Sequence, residues 1–407
     1  MSTGRPGRSP DEEASYRIAA IPGDGVGPEV VAVGRRVLDA AGRAFGFRIE
    51  WSEIVAGGAA IDRYGVAIRP EDLETARSSE AIFLGAVGGP RWDDPNAKVR
   101  PEQALFALRG GLDLFANLRP VSVHPALVPS SPVRADLLDG VDLLIVRELT
   151  SGLYFGRPSE ERQTADGRVA VDTLWYTEGE IRRVVQLAFE LAAGRRGRLT
   201  SVDKANVLAT SRLWRKVVEE LRPAFPGVEV NHQLVDSCAM LLVRNPASFD
   251  VLVTENLFGD ILSDEASVLA GSLGMLPSAS LGSARTPHGI FGLYEPIHGS
   301  APDIAGTDKA NPIGAILSGA MLLRWSLGEL EAAAAIEAAV SETLDDGLRT
   351  ADIADIASAG ALSVAGTTAM GDAVAERVAK AAELGAGGRQ RVAEGAERMA
   401  DTAGVPS

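Results

Sequence analysis

Residues 254–265 read TENLFGDILSDE, the most informative segment of the sequence. Its first residue, Thr254, ends the apolar run Asp250–Thr254, which predicts a buried strand. The spacing of the apolar residues that follow predicts a helix. In a helix, Asp260 and Asp264 share one face, where their like charges repel, so we expect a compensating cation. Oxygen ligands suit Mg²⁺ or Mn²⁺. A solvated acidic surface is the simpler interpretation of an isolated pair, but the flanking apolar residues argue against it.

Strand-like and helix-like segments alternate on both sides of this stretch. A helix is predicted to begin at Pro28, and helix formers dominate after Asn311. The alternation is typical of an α/β fold with a partly parallel sheet. A turn at Asp166-Gly167 precedes an alternating run, Arg168–Leu174, which predicts an antiparallel arm. The other strand-like runs are Tyr16–Ile21, Ala81–Val87, Val141–Val146 and Leu199–Val202.

Composition excludes several classes of protein. The 407 residues, 46% hydrophobic, suffice for two or three domains with sizeable cores. A net charge of -15 with scattered cations argues against a nucleic-acid binder. Cys238 is the only cysteine, so neither an intrachain disulfide nor a cysteine-rich zinc site is expected. The polar first residues and the lack of a membrane-length apolar run lead us to expect a cytoplasmic protein.

Three arginines lie beside apolar runs: Arg109, Arg119 and Arg147. Arg147 closes a predicted buried strand, and the carboxyl ends of strands are where open α/β sheets bind ligands. A guanidinium holds a carboxylate by two hydrogen bonds. For each arginine, neutralisation of a nearby Asp or Glu is an equally good interpretation.

Tyr154 and Lys204 are the candidate acid and base. Lys204 follows the strand-like run Leu199–Val202, where a lysine can serve in proton transfer. Considered alone, either residue is more often structural.

Two glycine-containing segments are candidates for nucleotide contact. Residues Gly23–Glu29 follow a strand and open a helix, but the third glycine of a dinucleotide-binding fingerprint is missing, so a tight strand-to-helix turn is preferred. Residues Glu295–Gly306 have the small residues that close backbone approach to a nucleotide needs.

Five separated motifs together resemble the β-decarboxylating dehydrogenases of the isocitrate/isopropylmalate dehydrogenase family, over roughly Tyr16–Ala379. They are Ile21–Glu29, Asp113–Pro120, Val202–Val207, Thr254–Glu265 and His298–Gly306. Their joint occurrence is far more specific than any one of them. The resemblance implies a homodimer of two-domain subunits with a mixed, non-Rossmann sheet and an inserted middle domain that carries the β-arm.

The resemblance also implies the domain boundaries. Residues 16–114 and 271–380 would form a discontinuous cofactor-binding domain, and 115–270 a domain for substrate, metal and dimerisation. We expect residues 1–15 and 385–407 to be flexible tails.

By the same resemblance, the three arginines would hold the carboxylates of a malate substrate, and Asp260 and Asp264 would bind Mg²⁺ or Mn²⁺ together with Asp236 of the partner subunit. Lys204, also from the partner, would act as base at C2, and Tyr154 as acid at C3. The reaction implied is oxidative decarboxylation with NAD as cofactor.

The family's adenosine site corresponds here to Glu295, His298, Gly299, Ser300, Ala301, Asp303, Ile304 and Asn311. Asp303 decides between cofactors. A carboxylate accepts hydrogen bonds from ribose hydroxyls and repels a 2′-phosphate, and NADP-using relatives carry Lys and Tyr at positions 303 and 304. NAD is therefore predicted.

Substrate choice is predicted to depend on Glu102, Leu105, Phe106 and Val207. The last three match family positions that form an apolar pocket for an isopropyl group, so the reaction implied is conversion of (2R,3S)-3-isopropylmalate to 4-methyl-2-oxopentanoate and CO₂, a step of leucine biosynthesis. Phe106 departs from the commoner leucine, which bears on alkyl tolerance. Ser151 replaces a usual glycine, with no consequence predicted.

Two alternatives stay open. A homoisocitrate- or tartrate-type dehydrogenase would share the catalytic groups but lack the apolar pocket. A non-catalytic regulatory subunit would have lost Tyr154, Lys204 or an aspartate ligand, and all of these are present.

Overall fold

The computed structural model describes residues 14–94, 97–354 and 363–383. The predicted tails fall almost wholly outside these ranges. Ala14 and Ser15, at the end of the predicted N-terminal tail, pair with Phe47 and Arg48 of a neighbouring parallel strand.

A ten-stranded mixed sheet organises the chain, in the order β2-β1-β3-β12-β11-β4-β5-β10-β8-β9. Its strands are β1 (Ala14–Gly23), β2 (Phe47–Glu53), β3 (Ala81–Ala86), β4 (Leu114–Ser122), β5 (Asp142–Glu148), β8 (Arg198–Asp203), β9 (Glu229–Leu234), β10 (Val251–Thr254), β11 (Pro277–Arg285) and β12 (Ile290–Pro296). Two short two-stranded sheets accompany it: β6 (Glu160–Thr164) with β7 (Gly167–Val171), and β13 (Leu348–Arg349) with β14 (Ser363–Val364).

The helices are α1 (Gly27–Phe45), α2 (Gly58–Tyr64), α3 (Pro70–Ser78), α4 (Glu102–Gly111), α5 (Ala135–Leu138), α6 (Glu178–Ala193), α7 (Ala209–Leu221), α8 (Val235–Arg244), α9 (Asn256–Ser267), α10 (Ile313–Leu322), α11 (Leu330–Asp345) and α12 (Thr367–Glu383). A π-helical turn, Leu323–Leu327, continues α10. Pro28 lies in the first turn of α1, where its missing N–H costs no hydrogen bond. The part of the chain that is described contains no helix long and apolar enough to cross a membrane.

The two halves of the sheet are formed by different parts of the chain. Strands β2, β1, β3, β12 and β11 come from residues 14–86 and 277–296, and the other five come from residues 114–254. The halves meet where β11 pairs antiparallel with β4, and β4 pairs antiparallel with β5, whereas β5, β10, β8 and β9 run parallel. The predicted mixed, non-Rossmann sheet shared by N- and C-terminal segments is confirmed.

Both faces of the first half of the sheet are covered, because successive side chains of a strand point to opposite faces. In β3, Ala81 and Phe83 join the large core with α1, α10 and α11, while Ile82 and Leu84 join a second core. This second core includes Ala76 of α3 and other residues from the α2–α4 region. Strands buried on both sides explain the near-continuous apolar runs in the sequence.

The predicted antiparallel arm is confirmed as the hairpin of β6 and β7, in which Thr164 pairs with Gly167 across the turn. It is shorter than the predicted run, since β7 ends at Val171. The side chains of β7 are exposed or half-buried on both faces within a single chain. Within one chain, therefore, neither face of β7 is buried, although the sequence pattern predicts an alternating strand.

Candidate active site

The site is built at the carboxyl end of the parallel strands. In the pairing of β5 with β10, Arg147 lies opposite Thr254, the last residue of β10. Helix α9 begins two residues later at Asn256. This register places Arg147 beside the first turns of the helix that carries Asp260 and Asp264.

Arg147 is buried and is held from α9. Its Nε and Nη2 donate to Oδ1 of Asn256, at 3.0 and 2.8 Å, and its Nη1 donates to Asp260. The side chain lies directly against Gly259, where a Cβ would come within 2.6 Å of the Arg147 Cγ. Burial, together with the charge of Arg119, lowers the pKa of Arg147 to about 10, against the opposing effect of Asp260.

Arg119 approaches the same acidic face from β4. Its Nη1 donates to Ser263 Oγ at 2.6 Å and to Asp264 Oδ1 at 3.2 Å, and Asn117 accepts from its Nε at 2.7 Å. Its Nη2 is 3.7 Å from Asp260 Oδ1. Burial lowers the pKa of Arg119, although Asp260 and Asp264 oppose that shift. Within one chain, two arginines therefore compensate the charges of the acidic pair.

Arg109, in the last turn of α4, forms a separate buried ion pair. Its Nη2 lies 3.0 Å from Oε1 of Glu295, and both side chains are nearly buried. Its Nε is buried without a hydrogen-bond partner. A guanidinium with an unused donor can take an additional acceptor, such as a carboxylate of a ligand.

Tyr154 extends the cluster. Its hydroxyl donates to Oδ2 of Asp260 at 2.8 Å, and the guanidinium carbon of Arg147 lies 5.8 Å from its ring centroid. Burial and the hydrogen bond to Asp260 raise the pKa of Tyr154 to about 12. At neutral pH this hydroxyl is therefore a proton donor.

Asp260 is kept ionised by its neighbours. Burial disfavours its charge, but Arg147, the Tyr154 hydroxyl and Arg119 outweigh burial and hold its pKa below the usual range. Asp264, one turn on, is largely exposed. Two carboxylates on one helical face, one of them with a lowered pKa, fit the oxygen ligands of a hard divalent ion.

Lys204 and Asp236 form a second cluster. Lys204 follows β8, Asp236 follows β9, and the Lys204 Nζ lies 2.7 Å from the Asp236 Oδ1. This ion pair lowers the pKa of Asp236. Among residues 14–94, 97–354 and 363–383, no three His, Cys, Asp or Glu side chains of one chain lie close enough to hold a metal ion. A single chain therefore does not bring Asp236 to Asp260 and Asp264.

The residues predicted to choose the substrate are spread around the α4 region. Glu102 begins α4 and lines a cleft of about 450 Å³ with Gly89, Trp92, Ser300 and Pro302. Leu105 packs against the second core, and Phe106 is half-exposed with its ring edge-on to Phe155 at 5.6 Å. Val207 is exposed.

The predicted cofactor loop is joined to the Gly23–Glu29 turn. The N–H of Val26 donates to the Ser300 carbonyl at 2.8 Å, and a Cβ on Gly25, at φ +59°, would lie 1.9 Å from that oxygen. The backbone of this turn therefore packs closely against the backbone of the predicted cofactor loop. His298 lies in the same loop, where its Nδ1 contacts the Gly299 carbonyl at 2.8 Å and its buried Nε2 has no partner.

The other residues predicted to bind the cofactor differ in how exposed they are and in whether their polar atoms already have partners. Asp303 is exposed, Ile304 is half-buried, and Ala301 adopts φ +36°. Asn311 is buried, and its side chain is used structurally: Oδ1 accepts from Ile313 N at 3.0 Å and Nδ2 donates to Asp352 at 3.1 Å. The orphaned His298 nitrogen and the exposed carboxylate nevertheless fit an adenosine group.

Sequence reasoning missed two residues that build the site. Asn256, inside segment 254–265, supplies the acceptor for Arg147. Asp24 is buried and accepts three backbone N–H groups, from Gly58 and Gly88 to Oδ2 at 2.7 and 2.8 Å and from Ala59 to Oδ1 at 2.8 Å. The sequence signal for Asp24 is an acidic residue between two glycines. Interpretation of this segment as a tight strand-to-helix turn assigns no role to that carboxylate.

Comparison with known proteins adds a family to this geometry. The family model for isocitrate/isopropylmalate dehydrogenase matches residues 17–374. The 3-isopropylmalate dehydrogenase of Anaeromyxobacter dehalogenans is 56% identical over 364 residues, covering 89% of this chain and 99% of that protein. The enzyme of the same name from Moorella thermoacetica is 57% identical, covering 83% of this chain and 93% of that protein.

Solved structures agree with these sequence matches. An isocitrate dehydrogenase from Methylococcus capsulatus is 35% identical with a TM-score of 0.77, covering 89% of this chain and 99% of that one. A β-decarboxylating dehydrogenase from Thermococcus kodakarensis is 37% identical with a TM-score of 0.70, covering 91% of this chain and 98% of that one. The predicted family and fold class are both confirmed: the chain belongs to the isocitrate/isopropylmalate dehydrogenase family.

Proposed function

We propose that the protein catalyses the NAD-dependent oxidative decarboxylation of (2R,3S)-3-isopropylmalate to 4-methyl-2-oxopentanoate and CO₂, a step of leucine biosynthesis. The observation that carries the proposal is the convergence of Arg119, Arg147 and Tyr154 on Asp260 of α9. The 52–57% identity to proteins named 3-isopropylmalate dehydrogenase supports the choice of substrate.

The three arginines would bind the substrate carboxylates. Arg119 and Arg147 are buried, so a carboxylate that replaced Asp260 or Asp264 as their partner would be held in a region of low dielectric constant. Arg109 retains the unused Nε donor. Each arginine would thus exchange or extend an existing ion pair when substrate binds.

Asp260 and Asp264, with Asp236 of the partner subunit, would hold Mg²⁺ or Mn²⁺. When bound, the divalent ion would polarise the oxygen at C2 and stabilise negative charge there, and NAD would accept a hydride from C2. The low pKa of Asp260 keeps this ligand ionised without the metal. Release of Arg147 and Arg119 from the aspartates would free both guanidinium groups for substrate.

Two groups would move the protons. Lys204 of the partner subunit would take the proton of the C2 hydroxyl, and Tyr154 would give its proton to C3 after the carboxylate is lost. The raised pKa of Tyr154 suits it to the acid role.

NAD rather than NADP would be the cofactor, with Glu295, His298, Gly299, Ser300, Ala301, Asp303, Ile304 and Asn311 around its adenosine half. The exposed Asp303 would accept hydrogen bonds from the ribose hydroxyls and repel a 2′-phosphate. His298 Nε2, buried without a partner, is a further available polar atom.

The active form would be a homodimer with shared sites. Met240 and Val243 of α8 and Ile261 of α9 are 64%, 53% and 58% exposed, and the two helices pack together. Such an exposed apolar surface is typical of a protein interface. A second copy would cover it, and would bring its own Lys204, Asp236 and Val207 to Asp260 and Asp264.

Two domains with the predicted boundaries would close over the substrate. The proposed boundary at residues 114 and 115 lies at the start of β4, the strand that pairs with β11. Cys238, a free buried thiol, is compatible with the reducing cytoplasm, which we propose as the compartment.

The proposal is tested by NADH formation from 3-isopropylmalate with Mg²⁺ or Mn²⁺, beside isocitrate, homoisocitrate, tartrate and malate at matched concentration. We expect turnover of isopropylmalate well above the others. Absence of that turnover would reject the substrate, and a preference for homoisocitrate or tartrate would select the alternative with a polar pocket. Faster reaction with NADP than with NAD would remove the role given to Asp303.

A further inference from the structure

Two buried carboxyl groups lie behind Arg147 and face the same tyrosine. Glu148, the last residue of β5, is fully buried, and Glu255, the N-cap of α9, is nearly so. The Tyr176 hydroxyl is 3.1 Å from Oε2 of Glu148 and 3.4 Å from Oε2 of Glu255. Neither carboxyl group takes part in the proposed mechanism.

The tyrosine hydroxyl is also an acceptor. The backbone N–H of Asn256 donates to it at 3.0 Å, so its single proton is left for one of the two carboxylates. Burial raises the pKa of Tyr176 well above its ordinary value, which keeps the hydroxyl protonated, and burial also raises the pKa of both glutamates. Without this hydroxyl, two buried carboxyl groups would lose a common donor and Asn256 N would lose its acceptor.

The loop that carries Tyr154 is attached to the same point. A Cβ on Gly152, at φ +80°, would lie 2.6 Å from the Tyr176 hydroxyl oxygen, so only glycine allows this approach. The Ser151 carbonyl accepts from Asn256 Nδ2 at 3.0 Å. Ser151 Oγ and Gly152 N both donate to the Trp175 carbonyl, at 2.9 and 3.0 Å.

Tyr176 therefore connects to both sides of the site. Through Asn256 it reaches Arg147, whose Nε and Nη2 have Asn256 Oδ1 as acceptor. Through residues 151 and 152 it reaches the loop of Tyr154. We propose that Tyr176 is a positioning residue: its hydroxyl aligns Asn256, and thereby Arg147 and the first turn of α9, with the loop of Tyr154. This inference rests on the proposed function for the roles of Arg147 and Tyr154.

The test compares Tyr176→Phe with Tyr294→Phe in the full-length protein. Tyr294, on strand β12 and away from this cluster, is a matched control. It is fully buried, and its hydroxyl forms a hydrogen bond with Ser326 Oγ at 2.7 Å. Mn²⁺ binding is measured by calorimetry without substrate, and kcat and KM for 3-isopropylmalate are measured with NAD and Mn²⁺. Thermal midpoints are recorded for all variants.

For Tyr176→Phe we expect kcat/KM to fall roughly tenfold or more and Mn²⁺ affinity to fall severalfold, as when a buried partner is left unpaired. Tyr294→Phe should lose a similar amount of thermal stability with kcat/KM and Mn²⁺ affinity within about twofold of wild type. Equal effects of the two variants on all three measurements would mean a purely structural role and would overturn the proposal.

A double-mutant cycle with Asn256→Ala tests the route. If Tyr176 acts through Asn256, the double variant should lose no more kcat/KM than the more impaired of the two single variants. Additive losses would overturn the route. If Tyr176→Phe does not fold, Glu148→Gln takes its place in the cycle, because it removes a charge that accepts the hydroxyl proton. A wild-type protein that binds Mn²⁺ but does not turn over isopropylmalate would instead reject the proposed function, and the Mn²⁺ comparison among variants would still decide this inference.

Discussion

At the scale of single residues, the chemistry depends on which groups are paired before any ligand binds. Asp260 already has Arg147 and Tyr154 as partners, and Lys204 has Asp236. The buried Arg147 exchanges its partner at lower cost than it loses one, because an unpaired buried charge is strongly unfavourable. The proposed roles of Lys204 and Tyr154 lead to separate predictions.

Replacement of Lys204 by methionine is expected to abolish NADH formation but to keep substrate binding. Loss of a general base typically lowers kcat by a factor of about 10² to 10⁴, whereas the arginines that hold the carboxylates are unchanged. Turnover is followed by NADH absorbance, and binding of isopropylmalate with Mn²⁺ by calorimetry. Lys216→Met, an exposed lysine on α7, is the control. Retained activity in Lys204→Met would assign the base elsewhere.

The Tyr154 hydroxyl should remain the acid over the whole working pH range. Its pKa is raised to about 12, so the protonated form is present below that pH and is lost only as the pH rises through it. Tyr154→Phe should thus lower kcat by about 10² or more at every pH between about 6 and 10, with no change in the alkaline limb of the profile. Disappearance of an alkaline limb near neutrality in this variant would show that Tyr154 titrates there.

At the scale of elements, helix α9 gathers most of the site. Its N-cap Glu255 accepts from Phe258 N and Leu257 N at 2.9 and 3.2 Å, and Gly259 allows Arg147 to lie against its first turns. The acidic residues then follow on the face turned toward β4 and β5. Orientation of the aspartates is thus set by how the helix begins as well as by its periodicity.

Removal of this cap is expected to destabilise the fold. Glu255→Ala leaves two half-buried N–H groups, those of Leu257 and Phe258, without a side-chain acceptor and should lower the free energy of unfolding by about 0.5–2 kcal/mol. Glu255→Gln keeps the acceptor oxygen, so its loss should be smaller. Urea unfolding followed by circular dichroism measures both variants, and equal losses in the two would show that charge, not capping, is the important contribution.

At the scale of the whole molecule, the two clusters of proposed catalytic groups do not meet within one chain. Asp260 and Asp264 lie beside β5 and β10, while Lys204 and Asp236 follow β8 and the edge strand β9. The exposed surface of α8 and α9 is where we propose that a second copy binds. A dimer is the arrangement in which each site would take one cluster from each chain.

Complementation between inactive chains tests this arrangement. Lys204→Met supplies intact Asp260 and Asp264, and Asp260→Asn supplies intact Lys204 and Asp236. Each homodimer should be inactive, whereas a random mixture refolded or co-expressed together should recover about a quarter of wild-type activity, because about half of the dimers have one working site of two. Activity is measured on the purified mixture and compared with each parent. Failure to recover any activity from dimers shown to be mixed would place all catalytic groups in one chain.

The sequence alone determined the alternation of strands and helices, the acidic pair on one helical face and the family motifs, since these depend on local periodicity and on short runs of residues. Which cations lie against the acidic pair depends on tertiary contacts, because Arg147 is 113 residues from Asp260 and Arg119 is 145 residues from Asp264. The tertiary structure also explained Ser151, whose hydroxyl bonds the Trp175 carbonyl, and identified Tyr176 and Asp24 as residues that hold several segments together. Contacts of that kind depend on strand order and register, which no local pattern specifies.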